Sequence, residues 1–267
     1  MSLQTKAGFR KEILALFRTK TFLILTLVII GLSALNPLLM FAMRPIINAM
    51  GMADGFTDTS STGVSASVGE ITSTGLIVFL LLINRAAGGE QKKRTVIIPK
   101  CSGLRSFGYV FPKYIVYPLF ALALVIVAMF VSWGISALIF GYNDVTFFDV
   151  LLAAVLGGVS MMLYICFHLT LGTATGKAGM SAAVCIGASI ILPSIFALMS
   201  SDYMFNPFAL ENLASTVIWR PYISGGEMRD IFVTIAFALA LMVLSYLIAL
   251  FVQNAKKIDN SGDEIEL

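Results

Sequence analysis

The sequence predicts an all-α membrane protein with six transmembrane helices, and three observations carry that expectation. Hydrophobic residues make up 58% of the 267 positions and charged residues only 12%, against about half and a quarter in ordinary globular domains. Several windows of about 20 residues contain no Asp, Glu, Lys or Arg, the length a helix needs to cross roughly 30 Å of hydrocarbon. Lipid offers the backbone no hydrogen-bond partners, so these windows must be helical.

The chain opens with a basic segment, Lys6, Arg10, Lys11, Arg18 and Lys20. Within it Phe9, Ile13, Leu16 and Phe17 recur at helical spacing with Lys11 and Arg18 opposite, which predicts an amphipathic helix on the membrane surface; Arg10 intrudes on the apolar arc. The first span is predicted at 21–43. A signal peptide would have a shorter apolar core and a small-x-small cleavage site, and Leu39-Met40-Phe41-Ala42-Met43-Arg44 offers none, so this span is expected to remain in the mature protein.

The second span, 64–83, is the least apolar. Ile71 to Ile83 is too short alone and must draw in Val64 to Glu70, or snorkel Arg85, to reach full depth. Four further spans are predicted at 114–140, 150–171, 178–199 and 231–252. The whole chain is then one transmembrane domain. Asn36-Pro37 and Pro193 permit kinks, and the small residues Ala153, Gly157 and Gly158, with Ala183 and Gly187, suit close helix packing.

Counting Lys and Arg orients the bundle. Five lie before the first span, seven in 84–113, one in 172–177 and two after the last span, whereas Arg44, Arg220 and Arg229 fall on the other side, fifteen against three. The positive-inside rule places both termini and the 84–113 loop in the cytoplasm of a cell whose inner membrane holds the chain. The pI near 8.7 follows from this asymmetry and is not a sign of nucleic-acid binding. Cys101, Cys166 and Cys185 form no disulfide framework, and a single His with no C-x-x-C leaves no zinc pattern.

Two segments lie on the far side. Residues 44–63 are rich in Gly, Ser, Thr and Asp and read as an unstructured loop. In 200–230, Asn206-Pro207 is a cap followed by a first-turn Pro, so Pro207 to Ile218 is expected to form a short helix. Its neighbours Tyr203, Phe205, Phe208, Trp219 and Tyr222 suit an interfacial aromatic belt, with a lid over a substrate path as the sharper alternative. The tail after Val252, with Lys256 and Lys257 and then Asp259, Asp263, Glu264 and Glu266, reads as solvated and disordered.

The loop at 84–113 bears on function. After the charged run Glu90-Gln91-Lys92-Lys93-Arg94 come Thr95, Val96 to Ile98 and Pro99, then Ser102 as an N-cap. Leu104, Phe107, Val110 and Phe111 share one helical face, which predicts a short amphipathic helix bounded by Pro99 and Pro112, able to lie on a membrane or enter a groove of a soluble partner.

In this order Glu90, Thr95, Val96 to Ile98, Ser102, Leu104-Arg105 and Lys113 make the loop similar to that of the permease subunits of type-2 ABC exporters; Arg94 stands where that family has Gly. The resemblance implies six spans, cytoplasmic termini and an amphipathic N-terminal helix. It also implies that Glu90, Thr95, Ser102, Leu104, Arg105 and Phe107 belong to a coupling helix docked into a separate ATPase subunit, present in two copies. ATP and Mg would be held by that partner, and no cofactor by this chain. A second permease chain, a copy of this one in a homodimer or else a similar chain, would complete a path for a hydrophobic or amphipathic cargo such as a peptide, drug or lipid, and the chain itself would not be an enzyme.

Gly172-Thr173-Ala174-Thr175-Gly176-Lys177-Ala178 is one residue short of a P-loop and has Ala where Ser or Thr should hold magnesium, so it reads as a small-residue turn. Inside the spans, Glu70, Tyr164 and His168 are the candidates for a substrate pathway, since intramembrane polar groups are costly. Two rival classes fit less well. An intramembrane metalloprotease needs two His on one helix, and for a serine hydrolase only Gly187-Ala188-Ser189 with His168 is on offer, without a G-x-S-x-G motif. An ATP-independent channel or secondary transporter would usually show buried charges or inverted repeats, neither of which is evident.

Overall fold

The computed structural model describes residues 3–49, 60–90, 106–140, 144–199, 206–219, 225–255, 257–258 and 264–265. Its helices are α1 (Leu3–Arg18), α2 (Thr21–Ala49), α3 (Ser60–Gly89), α4 (Ser106–Phe140), α5 (Phe147–Thr175), α6 (Ala178–Met199), α7 (Leu210–Trp219) and α8 (Gly225–Ala255). All but α1 and α7 are long and apolar enough to span a bilayer. Leu27, Leu138, Phe148, Phe232 and Phe251 stand at least 65% exposed along them. So many bare apolar side chains are stable only against lipid, and the protein is a multi-pass membrane protein.

Helix α5 is the hub. It packs against α4, α6, α7 and α8 and buries 72% of its span, whereas α6 buries 17% and α2 and α8 bury 22% each. Its start is set by a capping box in which Thr146 and Asp149 satisfy each other's backbone N–H, and its end by Gly176, which takes the left-handed φ of 66° that closes the helix. The 172–177 segment is therefore a helix-terminating turn, as its small residues suggested. Gly157 on α5 also meets expectation, since a Cβ there would lie 3.3 Å from Thr72 Cγ2. Ala183 and Gly187 do not: Ala183 is exposed and nothing comes within 4 Å of a Cβ at Gly187. Close packing needs a facing helix, and none of the described residues faces them.

The second span is longer than the sequence suggested. Its polar N-terminal third is helical because its polar groups are answered inside the bundle. Ser67 Oγ bonds the Gly63 carbonyl at 2.9 Å and Ser132 Oγ at 2.7 Å, and Asp144, from the α4–α5 connection, accepts from Ser60 Oγ and, at 3.0 Å, from Ser61 N–H. A carboxylate at a helix N-terminus satisfies its orphan N–H groups. Burial raises the Asp144 pKa, but these hydrogen bonds outweigh it and hold the carboxyl below its usual range. Two π-turns, Ile71–Gly75 and Arg85–Gly89, interrupt the α-helical pattern of α3.

Helix α4 begins at Ser106 and runs without interruption through Pro112 to Phe140. Phe107, Val110 and Phe111, expected on a separate short helix, thus form the first turns of the third span. Pro112 and Pro118 both lie inside it, as prolines can in membrane helices whose freed carbonyls find other partners. The expected short helix in 200–230 is present as a 3₁₀ turn, Pro207–Ala209, continued by α7, with Asn206 Oδ1 accepting from Phe208 N–H at 3.1 Å. Leu210, Ala214, Val217 and Ile218 of this helix are buried against α3 and α5, while Trp219 is 48% exposed; Tyr203, Phe205 and Tyr222, expected with it in an interfacial belt, lie outside the described residues. Beyond α8, Lys257–Ile258 pairs antiparallel with Glu264–Ile265.

Candidate functional site

At the end of the bundle that carries the termini, α1, α3 and α4 meet around a buried cluster of charge. Glu90 follows directly on α3 and is 7% exposed. Its carboxylate accepts from Lys113 Nζ at 2.8 Å, from Tyr109 OH at 2.8 Å and from Lys11 Nζ at 3.0 Å. Lys113 Nζ also donates to Tyr109 OH at 2.9 Å and to the Ala86 carbonyl at 2.8 Å, and lies 4.2 Å from the Tyr109 ring centroid. One turn along, Tyr117 OH donates to Glu12 Oε2 at 3.0 Å, and Lys11 reaches Glu12 Oε1 at 3.4 Å. Burial alone would raise the Glu90 pKa. The ammonium groups of Lys113 and Lys11 outweigh it and hold the carboxyl down at about 2.

Local sequence explains how each side chain arrives. Tyr109, Lys113 and Tyr117 are spaced by four and fall on one face of α4. On α1 the face against the bundle is Thr5, Gly8, Glu12 and Leu16, not the predicted apolar face: of Phe9, Ile13, Leu16 and Phe17 only Leu16 is buried. Gly8 decides this. A Cβ there would meet the Gly108 carbonyl oxygen at 2.5 Å and Pro112 Cγ at 2.8 Å, so only glycine lets α1 approach α4 closely enough for Glu12 and Lys11 to reach their partners. Ile13, Leu14 and Phe17 are left 44%, 53% and 55% exposed on the other side.

Of the residues the sequence assigned to a partner-binding helix, Glu90 is turned inward and ties three helices together. Phe107 is 47% exposed and stacks on Phe111 with ring centroids 4.9 Å apart. Thr95, Ser102, Leu104 and Arg105 lie outside the described residues.

The pathway candidates do not converge. His168 is fully buried and Tyr164 is 3% exposed, both on α5, with Ser181 Oγ of α6 2.9 Å from His168 Nδ1. Neither His168 Nε2 nor Tyr164 OH has a hydrogen-bond partner among the described residues. Glu70 instead faces outward from α3. It accepts from Thr74 Oγ1 at 3.0 Å and forms no ion pair among the described residues. Ser73 and Thr74, three and four positions further on, are exposed beside it, so the span carries a polar patch on that face. Before Glu70 on α3, Ser65 Oγ accepts from the Nε1–H of Trp219, an interfacial residue type, at 2.9 Å. Glu70 lies one and a half turns further into the span, about 7–8 Å.

Sequence reasoning missed Glu12, Tyr109 and Tyr117, and saw Lys11 only as part of a solvated face. The i, i+4, i+8 row on α4 was a visible signal, but the partners it meets come from residues 90 and 11–12 and are not local. Glu211 was likewise unforeseen. It packs inward from α7, where burial pushes its carboxyl above the usual range and a hydrogen bond from Thr72 pulls it partly back. No group of three His, Cys, Asp or Glu able to hold a metal occurs among the described residues. No protein-family model matches the chain, and no curated protein is similar enough to count as a relative.

Proposed function

We propose that the protein is the membrane subunit of an ATP-driven exporter, embedded in the cytoplasmic membrane with both termini inside. It pairs with a second copy of itself and with two separate ATPase subunits that hold ATP and Mg. The observation that carries a transport role is Glu70, an exposed carboxylate inside a membrane span, flanked by Ser73 and Thr74 and with no cation paired to it among the described residues. Facing acyl chains, such a group would cost about 2.5–3.5 kcal/mol at mid-membrane and less nearer the surface. Lining a water-filled path it costs little. The ATPase partner is supported by the order of residues from Glu90 to Lys113, and the orientation by the excess of Lys and Arg on the termini side.

Water access to the path is tested by single cysteines in a background lacking the native three. Glu70→Cys and Thr74→Cys should react with a water-soluble thiol reagent in membranes, and Leu27→Cys, on a 67% exposed apolar face, should not. Equal protection of all three would mean that α3 faces lipid or protein there and lines no path.

The energy source is tested separately. The purified chain alone should hydrolyse no ATP, and a tagged chain should bring down an ATPase. Replacing Leu104 and Phe107 together by Asp should abolish that recovery, because an unpaired charge in an apolar docking groove costs several kcal/mol, and should leave membrane levels normal, because Phe107, although in the first turn of the third span, is 47% exposed at its very end. Recovery of the ATPase at wild-type yield with the double variant would remove the coupling-helix assignment. A channel that fills and empties without any ATPase would replace the exporter reading by an ATP-independent one.

A further inference from the structure

Beside the charge cluster, the elbow between α1 and α2 borders a half-open cavity of about 180 Å³, lined by Ala15, Leu16, Thr19, Ile83, Arg85 and Tyr117 among others. Its chemistry is divided. One wall is aliphatic. The other carries the Thr19 and Thr21 hydroxyls, 2.7 Å apart, and Arg85, which is exposed and forms no hydrogen bond or ion pair among the described residues. Glu12 and Glu90, which act with Arg85 on Tyr117, are already engaged, Glu12 by Tyr117 and Lys11, and Glu90 by Lys113, Lys11 and Tyr109. Exposed Arg18 and Lys20 flank the elbow. Nothing among the described residues neutralises this positive charge.

The position of the cavity indicates what would. Arg85 opens the last turn of the α3 span, and Ile13, Leu14 and Phe17 leave the outer side of α1 apolar and bare. A cation beside an aliphatic wall, at the end of the spans and next to a lipid-facing helix, sits where the phosphates of the leaflet lie. The chain passes the elbow through Lys20, whose φ of 58° is left-handed, and Ile24 N–H is the donor to the Lys20 carbonyl. The N–H groups ahead of Ile24 are thus the orphan donors of α2, adding a second attraction for an anion.

We propose that this cavity binds the headgroup phosphate of an anionic phospholipid from the leaflet on the termini side, with Arg85 on the phosphate and the cavity's aliphatic wall against the glycerol and upper acyl segment. The net charge of Arg18, Lys20 and Arg85 selects an anionic headgroup over a zwitterionic one. The site needs neither a partner ATPase nor a transported cargo, so it stands apart from the exporter reading.

The test is native mass spectrometry of the full purified chain supplied with phosphatidylglycerol or phosphatidylcholine. Wild type should retain one phosphatidylglycerol with about tenfold preference, in line with charge-assisted contacts of this kind. Arg85→Gln should lose that preference, and so should Ala15→Phe, which keeps every charge and fills the cavity. Millimolar inorganic phosphate should not displace the lipid. Should Arg85→Gln fail to fold, Ala15→Phe alone decides. Undiminished binding by either variant overturns the proposal, the second by showing that diffuse surface charge suffices. Displacement by inorganic phosphate also overturns it, since the site would then be one for soluble anions.

Discussion

Replacing Lys113 by Met should destabilise the protein more than any other single change in the charge cluster, by about 3–5 kcal/mol, the range for breaking a buried ion pair from one side. Lys113 is 3% exposed and its ammonium meets Glu90, Tyr109 OH and the Ala86 carbonyl, all within 2.9 Å. Met fills the same volume but leaves a buried carboxylate with Lys11 as its remaining cation among the described residues, and strips the Ala86 carbonyl of its donor. The measurement is thermal unfolding of the detergent-purified chain, with protease sensitivity of α1 as a local readout. Glu90→Gln added to Lys113→Met should cost far less than the sum of the two single changes, because the orphaned charge is then gone. A single Lys113→Met variant within ~0.5 kcal/mol of wild type would mean that the cluster holds nothing together.

The second large effect is expected at Gly172. A Cβ there would stand 2.6 Å from the Ala87 carbonyl oxygen, 2.7 Å from its carbon and 2.8 Å from Ala87 Cβ, and the approach is reciprocal, since a Cβ at Gly88 would stand 2.8 Å from the Gly172 oxygen. These are backbone contacts, with no flexible side chain to swing aside. Gly172→Ala must therefore push the π-turn Arg85–Gly89 away from the end of α5, at a cost of about 1–3 kcal/mol or more. That turn also carries Ala86 and leads into Glu90, so the displacement should loosen the charge cluster as well. Gly187→Ala, where nothing lies within 4 Å, is the control and should stay within ~0.5 kcal/mol of wild type. Equal melting of the two variants would show that α3 and α5 are not in the contact described.

Comparison of α3 with α4 shows what could be foreseen. The third span was visible from Tyr114 because an uncharged apolar run needs no partner to be read. The start of α4 at Ser106 was hidden because Pro112 and Lys113 resemble a boundary, and only the burial of Lys113 on Glu90 makes that stretch continuous with the membrane helix. In α3 the residues from Ser60 to Gly63 read as the end of a loop until Asp144 is seen to answer the Ser60 hydroxyl and the Ser61 N–H. The α1 helix itself was legible from its periodicity, but its orientation was not. Gly8 carries no hydrophobic signal, yet its missing side chain sets which face of the helix docks.

The sequence by itself determined that the chain has six helices long and apolar enough to cross a membrane, because hydrocarbon imposes length and full backbone pairing on each segment separately. It also determined the turn at 172–177, the cap at Asn206 and the basic excess on one side, all of which are local properties of composition and spacing. Only the tertiary structure decided that Glu90, Lys113, Lys11 and Glu12 form one buried cluster, that Glu70 faces outward while His168 and Tyr164 face inward, and that Arg85 has no counter-charge among the described residues. Within the cluster, groups on different helices meet across 19 to 105 positions of chain. Charge and hydrogen bonding act through space, so they leave no periodic trace along the sequence from which such a meeting could be read.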